Sequence, residues 1–156
     1  MIRLTCPSTL VEETLKSLRD AGRGGTEGVV LWLARRPLAA ETAIVETFVP
    51  EYRAEIDVFH IPPSGLSATM AYLRAGKLVL AAQVHSHPAE AFHSKADDAW
   101  AIVRHEHALS VVVPFFASGV SAANFLERSV TFRLSADDRW LRVGGEELGA
   151  RLEILP

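Results

Sequence analysis

The sequence has 156 residues, of which 49% are hydrophobic and 22% charged, and its formal net charge is −3. This size and composition predict one globular domain over residues 1–156 and argue against a disordered chain. The negative charge disfavours nucleic acid and anionic membranes as partners, and the single cysteine, Cys6, excludes an internal disulfide bond. With no apolar run long enough to cross a bilayer and no signal-peptide pattern, we expect a cytoplasmic protein.

The first half of the chain predicts two helices separated by strands. Thr9 and Glu12 have the spacing of a capping box, and they precede leucines and a valine at helical spacing, with Gly22 as the stop signal. Apolar runs then predict strands at residues 27–33, 43–49 and 55–61. A second amphipathic helix follows the two prolines at 62–63 and ends near Gly76.

The second half predicts mainly strands. Residues 78–85 form the most continuous apolar run, which is typical of a strand buried on both faces. A helix over 95–105 and strands at 109–116, 130–134 and 140–143 complete the order. This order predicts an α/β or α+β fold in which helices flank a single mixed sheet.

Two histidines lie at the end of the strand predicted at 78–85. His85 and His87 are two residues apart, so their side chains leave the same face with Cα atoms roughly 6.5–7 Å apart. Pro88 cannot continue the ladder of hydrogen bonds, so the chain turns away after them. Asp97 or Asp98 can supply a third ligand after a short loop. Two imidazoles and one carboxylate form a catalytic zinc site, because they leave the fourth position open for water.

Each of these residues also has a purely structural interpretation. A pair of histidines on a strand is more often incidental than metal-binding. Ser94 and Asp97 have the spacing of a capping box and could simply begin a helix.

Four further histidines are interpreted as structural or surface residues. His105 and His107 repeat the His-x-His spacing where a helix is predicted to end, and cationic side chains favour that position. His60 and His93 occur singly.

The combined pattern favours the metal site. The run His-Ser-His-Pro from His85, followed by Ser94-x-x-Asp97, resembles the signature of the JAMM/MPN+ zinc isopeptidases, in their compact prokaryotic form. The resemblance implies the MPN fold, which is cytidine-deaminase-like, and Zn²⁺ held by His85, His87 and Asp97. Asp98 remains the alternative ligand, because the loop before Ser94 is one residue shorter than the usual family form.

The resemblance also implies a general base and an oxyanion donor. The family has a glutamate on an early strand, and Glu27 stands at that position. A carboxylate there takes a proton from water and later passes it to the leaving amine. Glu46, on the next predicted strand, is the rival candidate, and Ser94 is the candidate donor to the oxyanion.

The implied function is hydrolysis of the amide bond after the C-terminal glycine of a ubiquitin-like protein. Compact prokaryotic members suggest a place in a bacterial ubiquitin-like conjugation or antiphage system. Two alternatives remain open: processing of a sulfur-carrier protein or small peptide conjugate, and a non-catalytic MPN scaffold.

Overall fold

The computed structural model describes residues 1–55, 58–95, 97 and 101–156. Its strands are β1 (Arg3–Pro7), β2 (Val29–Arg35), β3 (Glu41–Phe48), β4 (Arg53–Ala54), β5 (Phe59–His60), β6 (Leu78–Ser86), β7 (Leu109–Val113), β8 (Val130–Leu134), β9 (Trp140–Val143) and β10 (Leu152–Leu155). The described helices of four or more residues are α1 (Ser8–Arg23), α2 (Pro63–Gly76), α3 (Phe125–Arg128) and α4 (Gly145–Arg151). None of the helices within the described ranges has the length and apolar character needed to cross a membrane.

Eight of the strands form one mixed sheet in the order β10-β1-β3-β2-β6-β7-β8-β9, and β4 pairs with β5 in a separate ribbon. β6 lies near the centre, antiparallel to β2 and parallel to β7. Helices cover both faces of the sheet. The predicted mixed sheet flanked by helices is therefore confirmed.

The central strand β2 shows why the sheet needs cover on both faces. Successive side chains alternate, so Val30 and Trp32 pack into the core beneath α1, while Leu31 and Leu33 pack into the core on the α2 side. The indole N–H of Trp32 donates to Thr14 Oγ1 of α1 at 2.9 Å. Burial on both faces explains why this strand reads as a continuous apolar run.

A β-bulge in β6 decides which way its last residues point. Trp32 and Leu33 of β2 face Ala82 and Leu80, so β6 carries one extra residue, Ala81. Ala81 and Ala82 therefore both contribute to the α1 core, and the alternation restarts one residue out of step. Without the bulge, the side chain of His85 would point toward the α1 core.

The start of α1 differs from the sequence prediction. The helix begins at Ser8, with Pro7 as its N-cap residue and no side-chain cap bond. Because β1 runs directly into the helix, Thr9 already lies inside the first turn and cannot cap it. The predicted capping box of Thr9 and Glu12 is therefore wrong, and Glu12 accepts a hydrogen bond from the backbone of Ala122 instead.

The end of α1 also differs from the prediction. The helix continues one residue past Gly22, to Arg23, and Gly24 caps its C-terminus.

Two other predicted elements are shorter than expected. The strand predicted at 55–61 is a strand only at Phe59–His60, and residues 56 and 57 lie outside the described ranges. The predicted helix at 95–105 includes Lys95 and Asp97, but residues 101–105 are not helical. Residues 96 and 98–100 of that prediction lie outside the described residues.

The sequence analysis also missed or overextended several strands. β7 ends at Val113, three residues before the predicted end, because Pro114 has no N–H to donate to the ladder. The short strands β1 and β10 and the helix α4 between β9 and β10 were not predicted.

Candidate metal centre

Three polar side chains converge at the carboxyl end of β6. The Nε2 atoms of His85 and His87 are 3.3 Å apart, and the Asp97 oxygens Oδ1 and Oδ2 lie 3.1 Å from His85 Nε2 and 3.2 Å from His87 Nε2. All three side chains are buried, with at most 4% of their surface exposed. Within the described part of the chain, this is the one group of three or more His, Cys, Asp or Glu residues that could hold a metal ion.

The spacing of the two imidazole nitrogens fits a tetrahedral metal ion. Ligands bound at 2.0–2.1 Å with tetrahedral angles are separated by about 3.3–3.4 Å, and the two Nε2 atoms are 3.3 Å apart. Each of these nitrogens also has one of the two Asp97 oxygens at a similar distance. The three side chains predicted as ligands are therefore close enough together to hold one metal ion.

The sheet itself fixes the two histidines. His85 faces Val29 in β2, and the backbone N–H of His87 donates to the carbonyl of Val113 in β7 at 2.9 Å. The His87 ring is also hydrogen-bonded to the Glu90 backbone, which helps to fix its orientation. His85 Nδ1 has no hydrogen-bond partner among the described residues.

Asp97 comes from a different segment and is held by Ser94. The Asp97 N–H donates to Ser94 Oγ at 3.0 Å, and the Ser94 N–H donates to Asp97 Oδ2 at 2.7 Å. This is the reciprocal capping arrangement that the sequence predicted, so one carboxylate both caps the helix start and faces the two imidazoles. Asp98, the alternative ligand, lies outside the described residues.

Glu27 lies beside the three candidate ligands. Its carboxylate is 1% exposed, and Oε1 is 3.8 Å from His87 Nε2. The next residue ties it to β6: the Gly28 N–H donates to Ser86 Oγ at 2.9 Å, and the Ser86 N–H donates to the Gly28 carbonyl at 3.1 Å. This contact of Ser86 was not predicted, because the side chain between two histidines leaves the opposite face of the strand.

Glu46 lies elsewhere. It pairs in register with Leu33, four residues along β2 from the position opposite His85, which is roughly 13 Å of strand. Its carboxylate is hydrogen-bonded to Tyr72 of α2. Of the two candidate bases, only Glu27 is next to the ligand cluster.

The buried charges explain the titration of the site. Burial by itself would raise the pKa of Asp97, but hydrogen bonds from His85, His87 and the Ser94 backbone hold it well below its usual range. Burial lowers the pKa of His87, but attraction to Asp97 and Glu27 and the hydrogen bond to the Glu90 backbone outweigh burial, so the pKa is raised overall. The carboxylates of Asp97 and Glu27 therefore favour a positive charge between them, as the carboxylates of a cation site do.

Cys6 does not offer an alternative nucleophile. It lies in the core beneath α1, and burial raises the pKa of its thiol to about 12. Only the thiolate is an effective nucleophile, so this residue is inert at neutral pH.

A small pocket opens beside the cluster. It has a volume of about 90 Å³ and is lined by Glu27, His87, Pro88, Ala89, Glu90 and Phe92. The ring of Phe92 lies edge-on to that of His87, with centroids 4.6 Å apart, yet 56% of the residue is exposed. An approaching ligand therefore meets an aromatic wall before it reaches the polar groups.

A left-handed turn supports the backbone of this pocket. Phe115, Phe116 and Ala117 all have positive φ, between 50° and 65°, which disfavours each non-glycine residue by about 1–2 kcal/mol. The turn is held by the Phe115 N–H, which donates to the Ala89 carbonyl at 2.9 Å, and by the Phe116 N–H, which donates to the His87 carbonyl at 2.8 Å. The sequence contains no turn signal at these residues, so the analysis extended a strand through them.

Phe116 also packs against α1. A Cβ added at Gly22 would overlap the Phe116 side chain, so the glycine permits this close approach. Gly22 therefore supports the site indirectly, although the sequence analysis read it only as a helix stop.

Comparison with known proteins agrees with this geometry. The probable metalloprotease y4jG from Sinorhizobium fredii is 35% identical over 115 residues, which are 71% of this chain and 70% of that protein. The chain matches no family-wide sequence profile.

Two solved structures share the fold. The solution structure of a protein from Desulfitobacterium hafniense has a TM-score of 0.70 at 16% identity, covering 97% of this chain and 92% of the other. The crystal structure of a JAB1/MPN domain protein from Archaeoglobus fulgidus has a TM-score of 0.54 at 12% identity, covering 98% of each chain. With the curated relative and the His85, His87 and Asp97 cluster, these findings show that the chain belongs to the JAMM/MPN family of metalloproteases.

Proposed function

We propose that the protein is a zinc-dependent peptidase or isopeptidase that cleaves the amide bond after the C-terminal glycine of a ubiquitin-like protein. One observation carries the proposal: three buried side chains that could hold one metal ion lie beside a fourth buried side chain, the Glu27 carboxylate. A purely structural metal site needs no such extra carboxylate, whereas hydrolysis needs a base.

The donor set favours zinc. Two imidazole nitrogens and one carboxylate oxygen are the ligands of many catalytic zinc sites. His85, His87 and Asp97 would hold the ion, with one position left open. When bound, Zn²⁺ acts as a Lewis acid and lowers the pKa of a coordinated water toward about 7.

The residues around the ion supply the proton transfers. Glu27 accepts the proton of the attacking water and passes it to the leaving amine, which its burial next to His87 favours. Ser94 donates a hydrogen bond to the developing oxyanion. Its Oγ already accepts the Asp97 N–H, so the hydroxyl hydrogen remains available.

The size of the pocket supports a substrate with a small residue at the cleaved bond. Its volume of about 90 Å³ is far below the roughly 300–1,000 Å³ of pockets for drug-sized ligands. Pro88, Ala89 and Phe92 line it, so a bulky side chain has little room. A terminal glycine of a ubiquitin-like tail meets this restriction. A role in a bacterial ubiquitin-like conjugation or antiphage system is the corresponding cellular proposal.

The test combines metal analysis with cleavage. Zinc-loaded wild type and Glu27→Gln are incubated with reporters joined to a ubiquitin-like C-terminal glycine through peptide or isopeptide bonds, and with sulfur-carrier fusions. We expect cleavage of the first group by the wild type only, with equal zinc content in both proteins. Cleavage of the sulfur-carrier fusions alone would assign the alternative substrate, and zinc binding without any cleavage would favour a scaffold.

Full activity of Glu27→Gln would show that another group is the base. Glu46→Gln is the matched control, because Glu46 lies far from the ligands, and we expect it to cleave like the wild type.

A further inference from the structure

A buried polar network lies next to the metal centre, on the same strand as its histidines. Gln83 of β6 is fully buried two residues before His85, and it faces Ser110 of β7 in register. The Gln83 Nε2 is 3.5 Å from Ser110 Oγ, and His93 Nε2 is 3.1 Å from the same hydroxyl. The His93 ring in turn lies 6.2 Å from the His85 ring, measured between centroids.

The network reaches the chain on both sides of Asp97. His93 precedes Asp97 by four residues, and the backbone N–H of Ile102, five residues after it, donates to Gln83 Oε1 at 3.1 Å. Gln83 and Ser110 thus connect a rigid sheet to the two flanks of the segment that carries the third ligand.

Asp97 needs such support more than the other ligands do. The backbone of His85 pairs with β2 and β7, and the N–H of His87, directly after β6, donates to the Val113 carbonyl of β7. Asp97 belongs to no strand. It is held locally by the reciprocal bonds with Ser94 and by the Ala101 N–H, which donates to the Asp97 carbonyl at 3.1 Å.

A buried glutamine is also costly unless its amide is satisfied, so an apolar residue would otherwise be favoured at position 83. The hydrogen bonds of the Gln83 amide to Ser110 and Ile102, which an apolar side chain could not make, offset this cost.

We propose that Gln83 and His93 are positioning residues for the metal site. Gln83, which accepts the Ile102 N–H, and His93, which contacts Ser110, fix the two flanks of Asp97, so that its carboxylate meets His85 and His87 at ligand distance. This inference rests on the proposed metal binding. It predicts that the network acts on metal affinity even though none of its members is a ligand. Loss of such outer contacts typically lowers metal affinity roughly 10- to 100-fold.

The experiment uses two variants of the full chain. Gln83→Met keeps the length of the side chain and removes both hydrogen-bonding groups. His93→Phe keeps a ring against Phe132 and Trp140, whose centroids lie 4.8 and 5.1 Å away, and removes the contact with Ser110. The control is Thr69→Val, which removes a buried hydrogen bond from Thr69 Oγ1 to the Gly65 carbonyl within α2.

The readouts separate positioning from general destabilisation. They are the zinc dissociation constant, the rate of zinc loss to a chelator, the visible spectrum of the Co²⁺-substituted protein and the Tm of the metal-free protein. We expect 10- to 100-fold weaker zinc binding, faster zinc loss and an altered Co²⁺ spectrum for both network variants. Thr69→Val should lower only the Tm.

Other results would overturn the inference. It is wrong if both network variants bind zinc within about twofold of wild type, or if Thr69→Val weakens binding as much at an equal loss of Tm. If Gln83→Met does not fold, His93→Phe decides alone, since His93 lies in a surface loop outside the sheet. Wild-type protein that binds no zinc would refute the proposed function itself, which is a separate and recognisable result.

Discussion

The chain contains two His-x-His pairs, and among the described residues only one of them belongs to a group that could hold a metal ion. His85 lies near the end of the central strand β6 and His87 directly follows it. Both are at most 3% exposed, and both lie against the Asp97 carboxylate. His105 and His107 lie in the loop before β7 and are half-buried. His105 Nε2 is 2.9 Å from the Leu80 carbonyl, and His107 Nε2 is 3.1 Å from Glu106 Oε1.

The comparison shows that His-x-His spacing brings two imidazoles together only when the backbone is extended as in a strand. On a strand, alternation sends both imidazoles of the first pair to one face, and their Nε2 atoms meet at 3.3 Å. The sequence predicted that the second pair stands where a helix ends, but residues 101–107 are not helical. There the backbone does not align the rings, whose centroids are 6.4 Å apart. The pair belongs to no three-residue metal group among the described residues.

The largest expected effect comes from removing one histidine of each pair. His87→Ala should abolish stoichiometric zinc binding and peptidase activity, because two ligands cannot hold the ion in a tetrahedral site. His107→Ala should leave both unchanged. Zinc per chain, measured on protein purified without chelator, is the test, and equal zinc in the two variants would contradict the distinction between the pairs.

The pH dependence of stability should also separate the pairs. In the metal-free protein, the lowered pKa of Asp97 gives stability that is present above about pH 4 and lost as the pH falls. The raised pKa of His87 gives stability that is present below about pH 6.5 and lost as the pH rises through its folded-state value. These two groups therefore favour a maximum of Tm between about pH 4 and 6.5.

Thermal unfolding in a chelator from pH 3 to 9 measures this profile. His87→Ala should flatten the alkaline decline, and His107→Ala should keep it. An alkaline decline that survives in His87→Ala would assign it to another group.

A smaller effect on zinc binding should follow from weakening the turn at Phe115–Ala117, which contacts the backbone of His87. Gly22→Ala forces the methyl group into Phe116, whose N–H holds the His87 carbonyl, and should destabilise the fold by about 1–3 kcal/mol. Gly65→Ala is the matched control. Gly65 lies in α2, away from α1, and its added methyl group would overlap the Glu51 carbonyl. We expect both to lower the Tm and only Gly22→Ala to weaken zinc binding. Equal zinc affinity in the two variants would show that the turn does not support the ligand.

The smallest effect is expected at the second pair. His105→Ala removes one hydrogen bond to the Leu80 carbonyl and should lower the free energy of unfolding by about 1 kcal/mol. Denaturant unfolding measures this change, and zinc affinity should stay at the wild-type value. A loss of zinc would give the second pair a role that its geometry does not suggest.

The sequence predicted the parts of the molecule that have strong local patterns. β2 and β6 are long apolar runs buried on both faces, and α2 has helical spacing that ends at Gly76. His85, His87 and Asp97 were predicted as ligands because their order along a strand, loop and helix start resembles a family signature, and the structure brings the three side chains together. In these places local chemistry and tertiary packing favour the same conformation.

The features that were missed depend on partners distant in sequence. β1 is five residues long and becomes a strand because it pairs with β3 and with β10, about 150 residues away. The turn at Phe115–Ala117 carries no glycine and is stabilised by carbonyls of the loop after β6. His93 read as an isolated histidine, since its relation to Ser110 and Gln83 exists only in the folded sheet.

The extra residue at Ala81 makes the direction of the His85 and His87 side chains depend on the length of β6. Removing one residue between the bulge and His85 would send both imidazoles through the sheet, whereas removing two would restore their direction while shortening their reach. Substitutions among the small residues of this stretch leave that parity untouched. An alignment that opens a single-residue gap here would therefore pair positions that face the candidate metal site with core positions. A designed shortening of the strand should proceed in steps of two.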